Sequence, residues 1–209
     1  MKYSPSLLNL TKNEQKMNKK DYKKISLQFQ NNNFVDETKE WYYIEPNTTQ
    51  FERIITKIIN LNLDKKDYKI CDAGIGLGTA MYNFYIETKQ FDDKNFKFYG
   101  VEKYKEYVDF FDENLKQYWD DNITIYIDDI MNHNYSGYDI VYLYTPFKKE
   151  DDLINLYQKI VDELKPNSIL LEYVLYGNGF FNTIQKIHKN NQDKTNLINL
   201  NGHNLLVIK

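Results

Sequence analysis

The sequence predicts an α/β fold: a three-layer sandwich with helices on both faces of a mostly parallel, seven-stranded sheet that closes in a C-terminal antiparallel hairpin strand. Three observations carry this. From about residue 50 onward, short apolar strands alternate with helical stretches, the pattern of βαβ units and a parallel sheet. A glycine-rich turn, Asp72-Ala73-Gly74-Ile75-Gly76-Leu77-Gly78, joins one strand directly to a helix. Near the C-terminus, Asn201-Gly202 stands between two apolar runs, the strongest short-range hairpin signal.

Residues 1–48 read as an N-terminal extension, and residues 49–209 as the α/β domain. Lys12, Lys16, Lys19, Lys20, Lys23 and Lys24 crowd the extension against Glu14 and Asp21, and Asn31-Asn32-Asn33 follows. Such a stretch is expected to be basic, solvated and partly flexible; the sharper alternative is a lid over a site or a substrate arm. Trp41, Tyr42 and Tyr43, then Glu45-Pro46-Asn47-Thr48-Thr49, point to more order, with Thr48 or Thr49 capping the helix that follows.

Phe51, Ile54, Ile55 and Ile58 repeat at i, i+3, i+4, i+7 and mark that helix. Tyr68–Ala73 is the first strand, and a helix runs from about Thr79 to Thr88. Phe96–Glu102 is the second strand. Its helix carries Tyr104, Tyr107, Val108, Phe111, Leu115 and Tyr118 on one face. Ile123–Ile127 and Asp139–Tyr144 are the third and fourth strands. The next helix buries Leu153, Leu156, Tyr157, Ile160, Val161 and Leu164. Lys165-Pro166-Asn167 turns the chain into a fifth strand, Ser168–Leu175. A last helix carries Phe180, Phe181, Ile184 and Ile187, and the hairpin Leu197–Leu200/His203–Ile208 ends the chain.

Composition narrows the function. The chain has 209 residues, 42% hydrophobic, with nineteen Tyr and twelve Phe, so aromatics must do much of the packing. A formal charge of −3 argues against a whole-surface nucleic-acid footprint and permits a local basic patch. A single cysteine, Cys71, excludes an internal disulfide and a thiolate zinc cage and fits a reducing compartment. His133, His188 and His203 lack metal-ligand spacing, so no metal is expected. No run approaches the roughly 20 apolar residues that cross a bilayer. A cytoplasmic protein follows as the expectation, and the Asn, Lys, Ile and Tyr bias fits an AT-rich genome, a viral one included.

The glycine turn locates a ligand site. Without Cβ atoms the backbone turns sharply and approaches a ligand closely, and a strand, a glycine turn and a helix N-terminus form the mouth of nucleotide-like sites. A phosphate-gripping P-loop needs Gly-Lys-Ser/Thr, whereas Gly78 is followed by Thr79-Ala80-Met81. A dinucleotide fingerprint places its third glycine where Thr79 stands, while Gly78 falls one position early.

The remaining pattern, acidic-x-Gly-x-Gly-x-Gly, resembles motif I of the class I, Rossmann-like S-adenosylmethionine (SAM)-dependent methyltransferases. The resemblance covers about residues 50 to 209. Phe98-Tyr99-Gly100-Val101-Glu102 resembles the family's second strand, whose terminal carboxylate accepts hydrogen bonds from both ribose hydroxyls. Ile127-Asp128-Asp129-Ile130 resembles the segment where an acidic side chain and the next backbone N–H meet the adenine edge; Asp129 aligns better than Asp128, and one of the two is a turn residue. Leu164-Lys165-Pro166-Asn167-Ser168 resembles the family's Leu-Lys-Pro-Gly-Gly turn with both glycines replaced. The closing hairpin matches its antiparallel seventh strand.

The resemblance implies the roles. Gly74, Gly76 and Gly78 are expected to approach the methionine part of SAM, Asp72 to hold the loop or the amino group, Glu102 the ribose, and Asp129 with Ile130 the adenine. Methyl transfer from a sulfonium is an in-line displacement, so the protein mainly positions the nucleophile and removes its proton.

The acceptor side breaks the pattern. Methyltransferases of base amino groups carry Asp/Asn-Pro-Pro-Tyr/Phe after the fourth strand, and here Tyr144-Thr145-Pro146-Phe147 stands there. Tyr144, Pro146 and Phe147 are the catalytic-segment candidates, with Tyr144 and Phe147 either an aromatic wall for a cationic amine or a ring or plain packing. Tyr43 with Glu45-Pro46, and Gly100-Val101-Glu102-Lys103, resemble the histone-lysine methyltransferases that lack a SET domain, over a short span. The expected activity is therefore methyl transfer to N or O, on a protein lysine or a small molecule rather than a DNA base. Two alternatives stay open: a SAM-fold enzyme that cleaves SAM or transfers another group, and a non-catalytic SAM-binding accessory module.

Overall fold

The computed structural model describes residues 17–29, 51–61, 65–119, 121–144, 146–173, 183–200 and 203–209. In chain order the elements are α1 (Lys19–Ser26), α2 (Phe51–Leu61), β1 (Asp67–Ala73), α3 (Thr79–Thr88), β2 (Asn95–Glu102), α4 (Lys105–Asn114) and β3 (Ile123–Ile127). They continue with β4 (Ile140–Leu143), α5 (Glu150–Glu163), β5 (Ile169–Tyr173), α6 (Thr183–Asn190), β6 (Thr195–Leu200) and β7 (His203–Ile208).

The seven strands form one sheet in the order β3-β2-β1-β4-β5-β7-β6. The pairs β1–β2, β1–β4, β2–β3 and β4–β5 are parallel, and β7 runs antiparallel to both β5 and β6. The order reverses at β1, so β1 is the topological switch point, where open α/β sheets bind ligands beyond the strands' carboxyl ends. The expected hairpin is present as the Leu200↔His203 pairing; its Asn201-Gly202 turn lies outside the described residues, as do Tyr43, Thr48, Thr49, Thr145, Phe180 and Phe181.

Strand side chains feed two cores. Tyr68, Ile70, Phe98, Ile140, Tyr142, Ile169 and Leu171 pack with α1 to α4 on one face. Cys71, Ala73, Val101, Val141, Leu143, Leu170 and Leu206 pack with α5 and α6 on the other. Burial on both faces explains why β4, Ile140–Leu143, is an unbroken apolar run.

Two placements differ from the sequence expectation. Tyr104 and Leu115 flank α4 as its N-cap and C-cap rather than lying within it, and Tyr118 sits in a 3-10 turn that leads to the fully buried Trp119. Within the extension, residues 19–26 are helical: Tyr22 is fully buried in the core beside α3, while Lys20, Lys23 and Lys24 are exposed. Asn18 caps α1 by accepting from Asp21 N at 3.0 Å.

Candidate functional site

The chain leaves β1 through three glycines in the left-handed region, Gly74 at φ +86°, Gly76 at +52° and Gly78 at +71°. L side chains are strained there. The N–H groups of Gly74 and Ile75 both donate to Val101 O, at 2.9 and 3.1 Å, and Gly78 N donates to Ile75 O at 2.9 Å. The loop therefore arches over the end of β2. Ile75 settles onto Gly100, where an added Cβ would lie 2.5 Å from Ile75 Cδ1. The sequence reading gave Gly100 no role of its own; a glycine inside an otherwise apolar strand was the available signal for such a close approach.

Glu102 ends β2 and is 6% exposed. Its Oε2 accepts from Gly76 N and its Oε1 from Tyr104 N, both at 2.9 Å. Asp72, on β1 opposite Gly100, is 2% exposed. Burial, and then the negative charge of Glu102, hold the Asp72 carboxyl well above the usual carboxylate range. Two carboxyl groups thus flank the loop, and one of its backbone N–H groups, that of Gly76, meets Glu102.

Beyond β3, Asp128 N donates to Glu102 O at 3.0 Å and ties this segment to the same edge. Both aspartates work in the turn. Asp128 Oδ1 accepts from Asp129 N at 2.8 Å, and Asp129 Oδ1 accepts from Met131 N at 2.9 Å. Ile130 is buried, and its carbonyl accepts from Tyr135 OH at 2.8 Å. His133, which carried no sequence signal, links Asp128 Oδ2 (3.1 Å from Nδ1) to Tyr138 OH (2.9 Å from Nε2). Burial pushes the Tyr138 phenol far up, so it stays protonated beside the imidazole.

At the end of β4, Tyr144 and Pro146 are half-buried. The Tyr144 ring lies 5.1 Å from that of Tyr173, and Pro146 Cβ would be 3.8 Å from a Cβ on Gly74. The fold therefore brings Tyr144, Pro146 and the glycine loop to one edge. Phe147 takes the packing alternative: it is buried in the core with Leu153, Leu156 and Tyr157. Tyr144 and Tyr173, both half-buried, form an aromatic pair at the margin of the other core.

Among the described residues, no group of three or more His, Cys, Asp or Glu side chains could hold a metal ion, and no helix is long and apolar enough to cross a membrane.

No family model and no curated protein matches the sequence. Solved structures do match the fold. Magnesium protoporphyrin IX methyltransferase from Synechocystis PCC 6803, which contains SAM, aligns at a TM-score of 0.56 with 12% identity, over 78% of this chain and 79% of its own. The fold is that of the class I SAM-dependent methyltransferases. A Listeria monocytogenes protein assigned to that class gives a TM-score of 0.57 at 12% identity, over 80% of this chain and 62% of its own. A Streptococcus mutans protein described as a methyltransferase, in complex with S-adenosylhomocysteine, gives 0.54 at 12% identity, over 79% of this chain and 100% of its own. In this methyltransferase fold the antiparallel β7 between β5 and β6 completes the sheet, and the switch-point edge carries Asp72, Gly74, Gly76, Gly78 and Glu102.

Proposed function

We propose that the chain binds S-adenosylmethionine at the β1–β2 edge and transfers its methyl group to an N or O nucleophile. The observation that carries this is Glu102: a buried carboxylate at the switch point, already oriented by Gly76 N and Tyr104 N. Its two oxygens each accept one of these backbone N–H groups, which fixes the plane of the carboxylate. A carboxylate so placed would meet the ribose hydroxyls in a charge-assisted bidentate contact.

The other residues fit the same group. Gly74, Gly76 and Gly78 hold the left-handed turn that would let the methionine part approach the backbone. A neutral Asp72 would keep negative charge away from the methionine carboxylate and hold the loop. Asp129, fixed by Met131 N, and the backbone of Ile130 would bound the adenine. The bound cofactor supplies an electrophilic methyl group on a sulfonium with a good leaving group. Tyr144 and Pro146, beside Gly74, would orient the acceptor, and the proton that the acceptor carries passes to solvent or to a base of the acceptor side.

The acceptor would be a protein amine or a small molecule rather than a DNA base. Tyr144 stands where base-amino methyltransferases present an amide or carboxylate acceptor, and a phenol edge with Tyr173 beside it suits a cation or a ring. Calorimetry with SAM and with NAD tests the cofactor: SAM binding without NAD binding is expected, and the reverse overturns the reading. Mass spectrometry of the products tests the reaction. S-adenosylhomocysteine with a 14-Da gain on an acceptor, a methyl replacing a proton, supports transfer, whereas cofactor cleavage without a methylated product overturns it.

A further inference from the structure

Part of the grip on the glycine loop comes from outside the α/β domain. Tyr22, on α1, is fully buried. Its OH donates to Leu77 O at 3.0 Å and accepts from Trp119 Nε1 at 3.3 Å. Its ring stacks on Tyr82 with centroids 3.9 Å apart and planes 12° apart. A Cβ on Gly78 would lie 3.1 Å from that same Tyr22 oxygen. Around this point α1 and the residues just before it hold α3 along its length. Tyr82 OH donates to Met17 O at 2.7 Å, Ser26 Oγ lies 3.3 Å from Thr79 Oγ1, and Lys19 pairs with Glu87.

The position of the Leu77 carbonyl matters because a peptide unit is planar and rigid. Fixing that oxygen fixes the Gly78 N–H on the other side of the bond, which is the donor to Ile75 O at 2.9 Å. That bond closes the loop whose Gly76 N–H meets Glu102. Tyr22 therefore sits at the start of a chain of rigid contacts that ends at the ribose carboxylate. Without its hydroxyl, the buried Leu77 carbonyl loses the acceptor bond that selects this peptide orientation.

We propose that α1 is a strap whose Tyr22 acts as a positioning residue for the cofactor loop, so that docking of the N-terminal segment and occupancy of the SAM site are thermodynamically coupled. The inference rests on the SAM reading of the site for its ligand, and on geometry alone for the loop. Coupling of this kind is reciprocal: whatever holds the loop tightens α1, and whatever releases α1 loosens the loop.

The test uses the full chain and two variants, Tyr22→Phe and Trp119→Phe. Tyr22→Phe keeps the ring stack and removes the hydroxyl; Trp119→Phe disturbs the same core and leaves the Tyr22–Leu77 bond in place. Amide hydrogen exchange of the ligand-free proteins reads the loop, and calorimetry with S-adenosylhomocysteine reads the site. Tyr22→Phe is expected to speed exchange at Gly76–Thr79 relative to β4 amides and to weaken binding roughly tenfold, the scale of one buried hydrogen bond. Trp119→Phe is expected to lower the melting temperature while leaving both readouts near wild type. Equal effects of the two variants on loop exchange would overturn the proposal. In the wild type, ligand must also slow exchange within α1, and the absence of that protection overturns the coupling whether or not either variant folds. If the wild type binds no S-adenosylhomocysteine, the cofactor reading fails, and the ligand-free exchange still decides whether Tyr22 sets the loop.

Discussion

Gly100 lies beneath Ile75 so closely that a Cβ on the glycine would stand 2.5 Å from Ile75 Cδ1, 2.8 Å from its Cγ2 and 3.1 Å from its Cβ. The second strand thus supplies the floor on which the glycine loop rests. Gly100→Ala forces Ile75 outward, and overpacking of this kind costs about 1–3 kcal/mol. Ile75→Ala alone loses a side chain that is 4% exposed. In the double variant the loss is less than additive, because the smaller residue 75 clears the two nearest contacts. A double-mutant cycle by urea denaturation measures this coupling; strict additivity would place the two residues out of contact.

Glu102 joins the loop to α4 through Gly76 N and Tyr104 N. Glu102→Ala leaves a buried N–H without its charged acceptor, a loss of about 1.5–3 kcal/mol per bond. Glu102→Gln fares only partly better, since its amide nitrogen meets one of the two N–H donors head on. Both variants are expected to melt lower than wild type, alanine lowest, and to lose S-adenosylhomocysteine binding in calorimetry. A Glu102→Ala variant with full binding removes the carboxylate from the site.

Asp72 links the site to pH. Burial and the neighbouring Glu102 raise its folded-state pKa above the unfolded one, so between the two values the folded state holds the extra proton. Stability from this group is therefore present below the ordinary carboxylate range and is lost as pH rises toward the raised folded value. Asp72→Asn cannot ionise and escapes that loss. Its melting temperature relative to wild type should become more favourable from pH 5 to pH 8, whatever the offset at pH 5. A difference that stays flat with pH would mean Asp72 ionises in the fold as it does in the unfolded chain.

What could be read in advance follows from where the information lies along the chain. The sheet, the glycine turn and Glu102 were legible because strand, turn and carboxylate each occupy a few consecutive residues whose spacing carries the geometry. The docking of α1 was not. Its buried face is narrow, Tyr22 and Ser26 flanked by half-buried Ile25 and Phe29, and seven lysines in the first 24 residues mask it. Its partners Leu77, Tyr82 and Trp119 are distant in sequence, so no local pattern could pair them. His133 escaped for a different reason: Asp128 and Tyr138 each lie five residues away, but in a loop with no strand or helix period to pair them.

The end of β4 separates packing from acceptor recognition. Phe147 is 8% exposed in the core under α5, so Phe147→Ala removes a buried ring and costs about 3–5 kcal/mol. Tyr144 is half-buried and meets Tyr173 at 5.1 Å, an aromatic pair worth about 0.5–1.5 kcal/mol. Tyr144→Ala is therefore expected to change the melting temperature by only a few degrees and to leave S-adenosylhomocysteine affinity unchanged, because the proposed cofactor contacts are the glycine loop, Glu102, Asp129 and Ile130. If Tyr144 faces the acceptor, Tyr144→Ala raises KM for that acceptor, and Tyr144→Phe restores it when the ring is what the acceptor touches. Thermal melts and calorimetry on the two alanine variants, followed by acceptor kinetics, distinguish the roles. A Tyr144→Ala protein as unstable as Phe147→Ala would make Tyr144 a core residue and move the search for the acceptor contact to Pro146 and Tyr173.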